Sequence, residues 1–205
     1  MTHPSERELL VLHALRLLGY ADDTAVARRF GLDAVVVADE LLDAEALGRV
    51  ERVGFADVAG WSLTERGHRR HADLVAAELA SSGAGAVVDA VLERFLPLNA
   101  RLQRAATDWQ IRPLPGDALA ANDHTDFRWD DRVLDQLAHL VRAVTPLCAD
   151  LAGALDRFTG YDVRLGRALA RVERGERSYV DRPRADSVHT VWFELHEDVL
   201  ATLGL

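Results

Sequence analysis

The stretch RRFGLDAVVVADELLDAEALGRVERV, residues 28–53, constrains the fold more than any other. Gly31-Leu32-Asp33 interrupts a helical pattern, and the Asp33 side chain can accept the free N–H groups at the start of a new helix. Leu32, Val37, Leu41 and Leu47 recur at the spacing of a buried helix face, and Gly48 ends it. Residues 49–53 and 58–63 then alternate as two strands around Gly54 and Gly60. The expected order is helix, tight turn, helix, hairpin. Before it, residues 5–18 read as a first helix, with Ser5 and Glu8 spaced as a capping box and Gly19 as the stop. Residues 24–30 form a short second helix entered through Asp22-Asp23. After the hairpin, Thr64 caps a long helix through Leu79.

SSGAG, residues 81–85, is the expected boundary between a domain at 1–82 and a second at 84–205. The second half reads as helical throughout. Residues 87–109 are a helix despite Pro97, and 110–128 are loop. Residues 129–158 are one long helix or two, with Pro146 as the kink. Helices over 161–174 and 187–203 flank a loop at 175–186. The fold class is mainly α with a small β-hairpin.

Composition narrows the function. No apolar run approaches the ~20 residues of a membrane span, and MTHPSERELL lacks a signal-peptide core, so a cytoplasmic protein is expected. A single cysteine, Cys148, excludes an intrachain disulfide framework and fits a reducing compartment. All 24 basic residues are Arg, which removes Schiff-base and P-loop lysine chemistry. The net charge of −9 opposes binding to a polyanion.

TAVARRFGLDAVVVADELLDAEALGRVERV, followed by GWSLTERG, resembles the MarR-like winged-helix family over residues 1–80. The resemblance implies an N-terminal winged helix-turn-helix whose third helix would normally enter a DNA groove. It also implies that residues at the Asp33, Val35, Val36, Asp39, Glu40 and Asp43 positions face the bases. Here that side carries carboxylates and no basic residue. Carboxylates repel the flanking phosphates and can accept only from cytosine. Asp33, Asp39, Glu40 and Asp43 are therefore read as a surface that docks a protein partner or a second copy in a homodimer. The alternative is a MarR-like DNA-binding regulator whose phosphate contacts come from Arg28, Arg29, Arg49 and Arg52.

TDWQ at 107–110, NDHTD at 122–126 and HTVWFELHED at 189–198 resemble a helical region of actinobacterial proteins. That region follows a winged helix in short chains or in the tail of pyruvate phosphate dikinase-like proteins. The resemblance implies association with a phosphoenolpyruvate- or pyruvate-handling phosphotransfer enzyme. It does not imply catalysis, because no Gly-rich histidine site and no nucleotide-grasping lysine are present.

Within this half, Asn99, Trp109, Gln110, Asn122, Asp123, His124, His189, Trp192 and His196 are the candidates for an effector pocket or polar network. Asn99 and Gln110 are expected to join Asn122, Asp123 and His124. His189 and His196 share a helix face; Asp186, His124 with Asp123 or Asp126, and His139 can be imagined completing a metal site. The spacing matches no zinc pattern, and the plainer reading is helix capping by Asp186 or Ser187 and hydrogen-bonded histidines. No metal and no cofactor is expected. Trp109, Phe127, Trp129, Tyr161, Tyr179, Trp192 and Phe193 read mainly as packing residues. Cys148, on an apolar face, reads as a buried thiol. The chain is thus expected to be a non-catalytic accessory or regulatory protein.

Overall fold

The computed structural model describes residues 2–55, 58–183 and 185–205. It is mainly helical, with one two-stranded antiparallel sheet. The chain divides into two compact units. The first comprises Met1–Ala86, Ala154–Arg157 and Glu197–Leu205, and the second Val87–Gly153 and Phe158–His196.

The first unit begins with α1 (Arg7–Leu18), α2 (Asp23–Phe30) and α3 (Ala34–Ala46). Strands β1 (Val50–Phe55) and β2 (Val58–Leu63) pair with Val50 opposite Leu63 and Arg52 opposite Trp61, and α4 (Glu65–Ser82) follows. Local chemistry sets the helix starts. Asp22 accepts from the Ala25 N–H, Asp33 from Val35 and Val36, and Thr64 from Gly67. Each such cap is worth about 1 kcal/mol. Gly31 supplies the left-handed turn between α2 and α3, with φ 64°. Gly67 is required by close approach: a Cβ there would lie 1.9 Å from the Arg49 carbonyl oxygen. Leu9, Leu12, Leu15, Val26, Val37, Leu41, Val50 and Val75 fill the core of this unit, each large aliphatic contributing roughly 1.5–3 kcal/mol.

Two expectations fail here. Ser5 and Glu8 form no capping box, and α1 starts at Arg7 with no side-chain cap. The Ser5 hydroxyl donates instead to Glu78, and Glu8 accepts from Arg49 and from Nε and Nη2 of Arg70. Charge-assisted bonds to guanidinium outcompete a backbone N–H for the same carboxylate. Leu47 is not a core residue; it follows the last turn of α3 and is 44% exposed, while Ala44 takes the inward position. Leu32 is half-buried against the core.

The second unit is built on α5 (Gly85–Gln110), α6 (Phe127–Ala154), α7 (Tyr161–Glu173) and the start of α8 (Val188–Leu203). The rest of α8, from Glu197, belongs to the first unit. α5 runs through Pro97, and α6 is one helix through Pro146. Phe95, Leu137, Leu140, Leu151, Leu165 and Trp192 are buried in this unit. Among the described residues no single helix is long and apolar enough to cross a membrane.

Candidate functional site

α3 turns Val37, Leu41 and Ala44 inward. A helix repeats every 3.6 residues, so the opposite face carries Val35, Asp39, Leu42 and Ala46 in one line, with Asp43 beside it. All five are exposed, Val35 by 72% and Leu42 by 46%. Of the acidic residues singled out in the sequence, Asp39 and Asp43 therefore share the outward stripe. Glu40 is half-buried and lies 3.7 Å from Arg7. Asp33 is exposed, but its carboxylate is engaged as the α3 cap. A cleft of about 530 Å³ adjoins the stripe, lined by Asp22, Asp23, Ala38, Leu42, Arg52 and Trp61 among others. The Trp61 indole donates to Asp23, and the Arg52 guanidinium sits 4.5 Å above the Trp61 ring.

The four candidate phosphate-binding arginines do not form one rim. Arg28 is exposed at the end of α2. Arg29, expected at the surface, is turned inward: its side chain is 5% exposed, 3.6 Å from Asp198 and stacked over Phe30. Arg49 is held by Glu8 at 2.5 Å, and Arg52 by Glu45 at 3.2 Å. The bond from Arg70 first, then the Arg49 and Arg70 charges, holds the Glu8 carboxyl below the usual range despite its partial burial. That marks the Glu8 cluster as a settled ion-pair group.

Sequence reasoning missed a buried row of polar side chains in the first unit. His13 Nδ1 is 2.7 Å from His71 Nε2, and His13 Nε2 is 2.8 Å from Asp198 Oδ1. Arg157 donates to Asp198, to Glu78 at 2.9 Å and to Thr202 at 2.7 Å. His13 and Asp198 are completely buried. Two carboxylates and two guanidiniums balance, so the row carries little net charge. Burial, followed by the Arg157 charge, pushes the His13 imidazole down against the pull of Asp198. Burial, then His13 and Arg157, pushes His71 down to about 3. Burial opposes ionisation of Asp198, but the Arg157 and Arg29 charges and the hydrogen bond from His13 outweigh it and hold its carboxyl below the ordinary range. The available signal was weak: His13 stands among Leu9, Val11, Leu12, Ala14 and Leu15 on a helix otherwise buried through aliphatic side chains.

In the second unit, Asn122, His124 and Trp109 do come together. Asn122 Nδ2 donates to the Trp109 carbonyl and to Asp130, each at 3.0 Å. His124 Nδ1 is 3.1 Å from Asp130, and its ring lies 4.4 Å from that of Trp109. Arg177 donates to the same buried Asp130 at 2.8 Å. His124 has φ 57°, fixed by its N–H bond to the Asn122 side chain. Asn99 and Gln110 do not join this network. Asn99 accepts from the Trp192 indole, and Gln110 donates to Asp181. Asp123 is exposed and bonds Thr125.

His189 is exposed beside Phe193, whereas His196 stacks on Phe95. Asp186 is committed to Arg164, and Ser187 accepts from the Thr190 N–H at the start of α8. Among the described residues no three His, Cys, Asp or Glu gather as a metal site. Trp109, Tyr161 and Trp192 are core residues, but Phe127 and Phe193 are exposed. Cys148 is buried, and burial pushes its thiol up to about 12.

No family model matches this chain, and neither curated proteins nor solved structures provide a match.

Proposed function

We propose that the first unit is a winged helix used to dock a protein, and that the chain is a non-catalytic accessory protein. The observation that carries this reading is the outward face of α3: Val35, Leu42 and Ala46 exposed in line with Asp39, with Asp43 beside them and no basic residue. Exposed apolar groups among carboxylates suit a partner helix that brings apolar side chains flanked by Arg or Lys. A second copy docking face to face would oppose Asp39 and Asp43 with themselves, so a different protein is the better partner. The resemblance of the second half to dikinase tails makes a phosphoenolpyruvate- or pyruvate-handling phosphotransfer enzyme the first partner to test.

The DNA-binding reading is weaker. Arg29 faces inward, and Arg49 and Arg52 already pair with carboxylates. Phosphate contacts would have to break those pairs beside an acidic helix.

The test places a photo-crosslinking amino acid at Ala46 in the native cell and identifies adducts by mass spectrometry. One discrete protein adduct, lost with Leu42→Asp, is the expected result. Crosslinks to DNA, or an adduct pattern unchanged by Leu42→Asp, would refute the docking reading.

A further inference from the structure

The hydrogen positions in the buried row of the first unit follow from its geometry. His13 Nε2 lies 2.8 Å from Asp198 Oδ1, which only accepts, and 3.1 Å from Arg157 Nη1, which only donates; the closer, charged carboxylate takes the hydrogen, so Nε2 carries one. A neutral His13 then has its lone pair on Nδ1, and the 2.7 Å bond must run from His71 Nε2–H to His13. Burial and the neighbouring Arg157 hold both rings neutral. The lone pair of His71 is therefore on Nδ1, to which no described residue bonds. His71 is a fixed acceptor at the end of a row anchored by a buried carboxylate.

His71 lines a cleft of about 300 Å³, roughly the bulk volume of ten water molecules. One wall is a single face of α4, where Ala72 and Ala76 leave space beside Val75 and Leu79. Leu203 belongs to the other wall, and Arg16 and His68 also line the cleft. The lining is mostly aliphatic, and His71 offers an acceptor only. A carboxylate placed on His71 Nδ1 would meet a lone pair, and an ammonium would add positive charge where Arg157 and the cleft-lining Arg16 already act on His71. An uncharged donor satisfies both the acceptor and the walls.

We propose that this cleft binds a small aliphatic molecule bearing a hydroxyl group, which donates to His71 Nδ1. The site is separate from the outward face of α3 and does not depend on what that face docks. Nor is it a catalytic base: an imidazole held near 3 accepts a hydrogen bond at neutral pH without taking the proton.

The probe is 6,6,6-trifluorohexan-1-ol, compared with its methyl ether by ¹⁹F NMR titration against the full chain. The alcohol should show a saturable shift at millimolar concentration, with the ether at least tenfold weaker. His71→Phe should remove the preference for the alcohol. Ala76→Leu fills the cleft without touching the imidazoles and should remove binding of both; it decides the matter if His71→Phe does not fold. Equal affinity for alcohol and ether, no saturable binding, or undiminished binding by Ala76→Leu overturns the proposal.

Discussion

Replacing His71 by Gln should flatten the response of the protein to mild acid. His71 is 4% exposed and held to about 3, against an ordinary value of 6.5. Its folded pKa lies below its unfolded one, so below pH 6.5 the unfolded chain takes up a proton that the folded chain refuses. This stability is complete above pH 6.5 and is lost progressively as pH falls towards 3. Each pH unit in that window is worth ~1.36 kcal/mol, so acidification to pH 4.5 costs about 2.7 kcal/mol through His71 alone. That is a large part of a typical stability of roughly 5–15 kcal/mol. Glutamine keeps a donor for His13 Nδ1 but does not titrate in this range. Urea unfolding followed by circular dichroism at pH 7.0 and 4.5 makes the measurement. Wild type should lose about 2–3 kcal/mol more than His71→Gln between the two pH values; titrations of groups not coupled to His71 cancel in that difference. Equal losses in the two proteins would refute the argument that burial keeps this imidazole neutral.

Other substitutions probe other parts of the structure. Asp198→Asn leaves buried Arg157 and Arg29 with one fewer counter-charge, and should cost about 3–5 kcal/mol in the same titration at pH 7.0. Gly67→Ala drives a Cβ to 1.9 Å from the Arg49 carbonyl, and should lose about 3 kcal/mol, the top of the usual overpacking range. Gly166→Ala, in α7 with open space around it, should instead gain about 0.5–1 kcal/mol. Cys148, with its thiol near 12, should resist an aromatic disulfide reagent at pH 8 in folded protein and react once urea unfolds it.

The features legible in the sequence are those decided within a few residues. Asp22, Asp33 and Thr64 act on N–H groups two or three positions away, and Val37 and Leu41 follow from helical phase alone. Ser5 and Glu8 had the right spacing for a box, but Glu78, Arg49 and Arg70 reach them from 41 to 73 residues away. Arg28 and Arg29 are neighbours of identical type, yet one is exposed and the other buried. Their fates differ because α2 directs only Arg29 towards Asp198. In the second unit Asn122 and His124 meet because they are two residues apart. Asn99 and Gln110 found partners on distant elements, Trp192 and Asp181. The row through His13 and His71 left the weakest trace, since its defining contacts span 58 and 185 residues.

That last separation has a consequence for the nascent chain. At ~5–20 residues per second, His13 leaves the ribosome's catalytic centre about 10–40 s before Asp198 is even polymerised. During that interval α1, α2 and α4 hold two imidazoles and Arg29, but the carboxylate that joins His13 to Arg29 does not yet exist. The first unit to be made is thus among the last to be finished, and its completion depends on a residue translated after nearly all of the second.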